Sequence, residues 1–230
     1  MTISIESLFE GAQRAHGTVV IIDVFRAFTT ASVAFTCGAE KIIMVAEPDQ
    51  AIRLREAGYG DVCVGEVGGI APEGFEFGNS PHEIAEGDVE GQRLIQTTRN
   101  GTLGVTTVAG QADAIYAGAL INARATVNAI LADEPEHVTL VAMGTGSGTI
   151  RADEDEQCAL YLRNLLEGRQ PDPEAVRSLL LASGEIPKYH DPALPHLHPE
   201  DIDYALRIDA VDLAIRVEME EGLAVARVVG

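Results

Sequence analysis

A mostly parallel α/β sheet covered by helices, ending in a C-terminal helical segment and a β-hairpin, is the fold this sequence predicts. Two observations carry that prediction. From residue 18 to about residue 150, short β-branched runs alternate with segments of helical periodicity. Beyond that point the pattern changes to amphipathic helices and a final pair of alternating runs. Strand–helix alternation builds βαβ units, whose strands lie parallel and are covered on both faces.

The elements follow in order. Thr18–Val24, Lys41–Val45, Val62–Gly65, Leu94–Thr97, Ala112–Tyr116 and His137–Met143 read as strands. Helical spacing fills the gaps over 27–37, 48–57, 80–86, 102–110 and 122–132. A helix from Glu154 to Leu166 places Cys158, Leu162, Leu165 and Leu166 on one face, and Pro173–Ala182 places Val176, Leu179 and Leu180 together. A loop rich in proline and histidine follows, "IPKYHDPALPHLHPED". Then Leu213, Ile215, Val217 and Met219 alternate with polar or small residues, and Glu221–Gly222 turns the chain into Val225, Arg227 and Val229. The expectation is one α/β domain over 1–230 with a sub-division near 150, the last elements docking onto the sheet.

Composition narrows the function. The 230 residues carry 36 acidic against 16 basic side chains, a net charge of −20. Such a surface repels nucleic acid and anionic membranes, which excludes both as expected partners. No apolar run reaches the roughly 18 residues of a membrane span, and "MTISIESLFEGAQ" lacks the basic flank and apolar stretch of a signal peptide. A cytoplasmic location is expected. The three cysteines, Cys37, Cys63 and Cys158, lie far apart with no CxxC and read as reduced thiols. An acidic cytosolic enzyme of this size is often a homodimer.

Ligands of open parallel sheets bind beyond the carboxyl ends of the strands. There the chain gathers polar residues: Asp23 and Arg26 after the first predicted strand, Glu66 in "GEVGG", then "TTRNGT", "GALIN" with Asn122, and "GTGSGT". Asp23 is either a helix-capping carboxylate or a metal ligand or general base. Arg26, in a first helical turn where the dipole disfavours cations, leans toward anion binding, with a salt bridge to Asp23 as the plain alternative. Ser80, Pro81 and Glu83 form a capping box, so Ser80 starts a helix before it does anything else. In "TTRNGT", Asn100–Gly101 suits a turn, while Arg99 makes the segment an anion cradle. "GTGSGT" lacks the GxGxxG spacing of a dinucleotide loop. Asp153, Glu154 and Asp155 favour a helix start, and a carboxylate there could complete a Mg²⁺ site with Asp23 or Glu66. His196 and His198, with His190 nearby, hint at zinc, but their Pro-rich loop lies outside the strand-end cluster and reads as solvent-exposed.

Taken together and in order, "VVIIDVFRAFTT", "GA" before "EKIIMV", "GEVGG", "EGFEFGNSP", "TTRNGT", "GALIN" and "EDEQCA" resemble the 2-phosphosulfolactate phosphatase family. They cover residues 18 to 165, with a weaker echo in "DIDYALRID" and the closing hairpin. The resemblance implies a Mg²⁺-dependent phosphatase of α/β fold that converts 2-phospho-3-sulfolactate to sulfolactate and phosphate, a coenzyme M biosynthesis step. A small, multiply anionic substrate needs several cationic or N–H contacts. On this reading Asp23, Glu66 and Glu154 or Asp155 bind metal or activate water. Arg26 and Arg99 hold anionic groups, and Asn79, Ser80, Thr98, Asn100 and Gly101 supply neutral contacts. Water is the expected nucleophile, since position 25 is Phe and no second Asp supports an aspartyl phosphate. The resemblance departs at Val67, which stands where many members of the family carry arginine in a GERGG-like segment. The alternatives are a phosphatase for another phosphorylated 2-hydroxy acid and a non-catalytic anion-binding relative.

Overall fold

The structure, a computed structural model, describes residues 1–229. It is an α/β fold around a nine-stranded, mostly parallel sheet of order β1-β7-β2-β6-β8-β9-β3-β5-β4. Six strands were foreseen within residues 18–150: β2 (Thr18–Ile22), β3 (Lys41–Val45), β4 (Val62–Gly65), β5 (Arg93–Thr97), β6 (Ala114–Gly118) and β7 (His137–Ala142). Helices α2 (Ala27–Thr36), α3 (Pro48–Glu56), α4 (Pro81–Glu86), α5 (Gly101–Val108) and α6 (Ala123–Ala132) connect them, and α7 (Asp153–Leu166) and α8 (Pro173–Leu181) follow. Three pieces went unread: β1 (Thr2–Ser7), which pairs in parallel with β7, α1 (Leu8–Arg14), and α9 (Pro199–Ala205).

The closing hairpin is present as expected, and its place in the sheet is the new finding. Strands β8 (Ala214–Glu220) and β9 (Leu223–Val229) do not dock onto the sheet; they are built into its middle, β8 antiparallel to β6 and β9 antiparallel to β3. Glu221 and Gly222 both have positive φ, 52° and 82°, the mirror-image turn that matches strand twist. Three successive antiparallel pairings reverse direction, so β3, β5 and β4 run opposite to β1, β7, β2 and β6. Twist rescues the convergence of strand ends. At about 20–25° per neighbour, the steps from β2 to β5 turn the strand axis by about 100–125°, which leaves about 55–80° between strands that would otherwise oppose. The contacts agree: the Gln96 side-chain amide on β5 donates to the Ala27 carbonyl at the start of α2 over 2.9 Å.

One face of the sheet forms a continuous core with α1, α2, α4 and α5, including Ile21, Phe28, Met44, Val105 and Val217. The other face splits. Val20, Tyr116 and Leu140 pack beneath Cys158 and Leu162 of α7, while Ile43, Cys63 and Ile95 meet Ala51 of α3. Helix α2 is buried along almost its whole length, which suits its apolar composition and its place against the sheet. The cysteines are all free thiols. No helix among the described residues is long and apolar enough to cross a membrane.

Candidate active site

The carboxyl ends of β2, β4, β5 and β7 open into a cleft of about 470 Å³. Asp23, Arg26, Glu66, Asn79, Arg99 and Asn100 line it, six residues the sequence nominated from four separate segments. Asp23 ends β2 and is 5% exposed. Its Oδ1 accepts the Ala27 N–H at 3.0 Å, so it caps α2 and faces the cleft at once. Burial, with Glu66's charge adding, pushes its carboxyl up to about 6, against the pull of the Ala27 and Gly101 N–H groups and of Arg26. Gly101 is a glycine for want of space: a Cβ there would sit 2.8 Å from Ala27 Cβ and 3.0 Å from Asp23 Oδ2.

The two arginines behave differently. Arg26 is buried and donates to Asp201 Oδ2 at 2.8 Å and to the His196 carbonyl at 3.2 Å. Its partner is therefore Asp201 on α9, not Asp23 as the plain alternative had it. Arg99 is exposed at the cleft, and no carboxylate pairs with its guanidinium among the described residues. Asn79 is 5% exposed, and its buried Oδ1 has no hydrogen-bond partner. A buried amide oxygen without a partner costs roughly 1–3 kcal/mol, which something entering the cleft can recover.

Several nominated residues prove to hold the walls together. Ser80 donates to Asp201 Oδ1 at 2.6 Å and accepts the Glu83 N–H, so it is an N-cap and a brace and does not reach the cleft. Thr98 and Thr102 cap each other's backbone N–H groups around the start of α5. Gly101 is likewise packed away from the lining. Asn100 Oδ1 accepts the Gly148 N–H at 2.8 Å, tying the β5 loop to the "GTGSGT" loop, whose Thr145, Gly146 and Ser147 do line the cleft. Glu66 clamps two loops, accepting the Arg99 N–H at 2.9 Å and the Gly69 N–H at 2.7 Å. Asn122 is wholly spent on Ala119 and Ala117.

The two candidate carboxylates of α7 lie behind the cleft lining. Asp155 lies outside the cleft lining, and its two oxygens accept the N–H groups of Val24 and Gly144, each at 2.8 Å. It fastens the end of β2 to the end of β7. Burial and the charges of Asp23 and Glu154 hold its carboxyl well above the usual range. Glu154 is also outside the lining; burial, then Glu185 and Asp23, push it up to about 7, and its Oε2 has no hydrogen-bond partner.

The proline- and histidine-rich loop was placed wrongly. It folds over the cleft, which Lys188, Tyr189, Leu194 and His196 line from above. Tyr189 is buried, with the Arg26 guanidinium 5.9 Å from its ring centroid, and burial pushes its hydroxyl above the ordinary range. Composition held one signal: Lys188 is one of only two lysines in the chain.

Fold and cleft together define an α/β protein with a polar cleft at its strand ends, where a buried carboxylate faces an exposed guanidinium. The comparisons place it further. A family described as 2-phosphosulpholactate phosphatase matches residues 4–219. A probable 2-phosphosulfolactate phosphatase of Bacillus subtilis (strain 168) is 31% identical over 208 residues, 87% of each chain. One of Carboxydothermus hydrogenoformans is 30% identical over 214 residues, 89% of this chain and 87% of the relative. A third, of Deinococcus radiodurans, is 36% identical over 126 residues, 55% of this chain and 52% of the relative. The chain belongs to the 2-phosphosulfolactate phosphatase family, and so to the phosphoric monoester hydrolases.

Proposed function

We propose that the chain is a Mg²⁺-dependent phosphatase that hydrolyses 2-phospho-3-sulfolactate to sulfolactate and phosphate, the reaction type used in coenzyme M biosynthesis. The observation that supports it best is the meeting, in one cleft, of the unpaired Arg99 guanidinium, the unpartnered Asn79 amide oxygen and the buried Asp23 carboxylate. An apolar ligand would leave all three unsatisfied.

Mg²⁺ binds through one or two carboxylates, several waters and substrate phosphate oxygens, so a protein cage is unnecessary. Asp23 and Glu66 fit that pattern. Both line the cleft, and burial and mutual repulsion hold Asp23's proton more tightly than usual, a penalty that a bound dication would relieve. Bound there, the ion would neutralise phosphoryl charge and make an attacking water more acidic. The protein's part is placement. Arg99 offers a fork of donors to phosphoryl oxygens, where arginine outperforms a point charge. Arg26, fixed by Asp201, contributes a stationary positive charge toward the carboxylate or sulfonate end. Asp23 and Glu66 orient the nucleophilic water, and loop 186–197 restricts bulk solvent. Catalysis is then mainly positioning and electrostatic stabilisation.

Phosphate release from phosphosulfolactate, phospholactate and simple phosphomonoesters, with and without EDTA, tests this. The expected result is selective turnover of phosphosulfolactate that stops with EDTA and returns with Mg²⁺. Equal turnover of p-nitrophenyl phosphate, or activity indifferent to EDTA, would overturn it. One observation favours a second reading. Val67, 37% exposed, flanks a recess of about 200 Å³ beside Glu66 and Arg99. Valine offers a sulfonate neither charge nor donor at that recess, so phospholactate turning over faster would favour another phosphorylated 2-hydroxy acid.

A further inference from the structure

We propose that His82, His198 and Glu200 form a second metal site, suited to Zn²⁺ and separate from the cleft. One ligand atom from each of the three lies within 4.8 Å of the other two. They come from two elements far apart in sequence: His82 on α4, His198 capping α9 and Glu200 in its first turn. The ring centroids of His82 and His198 are 5.3 Å apart. None of the three lines the cleft.

The surroundings resemble those of a built metal site. A metal-binding histidine usually gives its second ring nitrogen to a carboxylate, which fixes the ring and its tautomer. His198 Nε2 lies 3.0 Å from Glu83 Oε1, and Glu83's other oxygen is itself held by the Gly78 N–H at 2.7 Å. With Nε2 turned to that carboxylate, His198 Nδ1 is the proposed ligand atom. Two imidazoles and one carboxylate suit zinc and other borderline divalent ions, whereas Mg²⁺ prefers oxygen alone. The neighbouring His196 is not part of the site: it packs against Gly69, with its Nε2 3.1 Å from where a Cβ would stand.

The site has a mechanical consequence. Next to Glu200, Asp201 accepts hydrogen bonds from Arg26, Ser80 and the His82 N–H. Zinc across His82, His198 and Glu200 would pin the α9 end of the cleft-covering loop to α4 and hold Asp201 on Arg26.

The test titrates Zn²⁺ into the full chain under saturating Mg²⁺, which fills the cleft carboxylates. One zinc per chain is expected, with slower hydrogen exchange over residues 186–201. His82→Asn and His198→Asn should each weaken binding at least 100-fold, Glu83→Gln about 10–100-fold, and His190→Ala not at all. Co²⁺ bound to the wild-type chain should absorb in the visible without a thiolate charge-transfer band, a readout independent of any variant's folding. Absence of binding at micromolar zinc, full binding by the His82→Asn/His198→Asn double variant, or a thiolate band would each overturn the proposal.

Discussion

Replacing Asp23 by Asn should make the metal-free protein more stable while destroying its activity. The carboxyl is raised from 3.8 to about 6, chiefly by burial. At about 1.36 kcal/mol per unit, keeping it ionised in the folded state costs about 3 kcal/mol well above that value. The amide removes the charge and keeps an acceptor for the Ala27 N–H, but it sets an NH₂ against the second backbone donor at Gly101. That loss returns about 1 kcal/mol, leaving a net gain of about 2 kcal/mol. For a chain of this size the gain corresponds to roughly 4–8 °C in Tm. The sign of the pH dependence follows from linkage. Between pH 4 and about 6 the folded wild type binds more protons than the unfolded chain, so its stability falls as pH rises through that window. The variant lacks this slope. Its advantage should be absent near pH 4 and complete above pH 7. Urea denaturation of both proteins in EDTA across that range measures it directly, and Mg²⁺ should then stabilise the wild type alone. A variant less stable than wild type at pH 8, or an advantage that does not change with pH, would refute the reasoning about Asp23.

Three further outcomes are expected. Arg99→Ala should raise KM about 10–100-fold while shifting stability by less than about 0.5 kcal/mol, because the guanidinium is exposed and unpaired; steady-state kinetics beside a melting curve checks both. Asp201→Ala should cost about 3–5 kcal/mol, since it strands the buried Arg26 charge and frees Ser80, and chemical denaturation reads the loss. Gly101→Ala should cost about 1–3 kcal/mol through overpacking against Ala27 and Asp23, with activity falling further than stability because the carboxylate must move; paired denaturation and phosphate-release assays separate the two.

What the sequence revealed and what it hid divide along one physical line. Local pattern was legible: β2, β3, β4 and β7 announce themselves as β-branched runs, and Ser80 with Pro81 and Glu83 announces the start of α4. Pairing was not. Nothing in "AIRVEMEEGLAVARVV" says that this hairpin separates two strand groups running in opposite directions, because strand direction is set by non-local partners. Side-chain partners were hidden for the same reason. Arg26 and Asp201 are 175 residues apart, and Asp155 spends both oxygens on Val24 and Gly144, contacts that no spacing encodes. The strand-end residues Asp23, Glu66, Arg99 and Asn100 were found because position after an apolar run is a local property. Lys188, Tyr189 and His196 were missed because a loop reaches the cleft only through the fold.

The charge balance around the cleft links these pieces. Globally the protein carries −20, and at physiological salt that field is screened beyond about 8 Å, so local groups decide binding. Arg26, Arg99 and Lys188 supply the cations lining the cleft. Arg26 is matched by Asp201 and Lys188 by Glu185, while Asp23 and Glu66 line the same cleft. Four carboxylates therefore stand against three cations, and among the described residues Arg99 is the one of these cations without a carboxylate partner. A substrate bearing phosphate, carboxylate and sulfonate would meet net repulsion from such a set. The protein's own charges are thus arranged to place an anion but are too few to attract it. A divalent ion beside Asp23 and Glu66 would make good that shortfall and relieve the proton-binding bias of Asp23, so metal and substrate should bind with positive cooperativity.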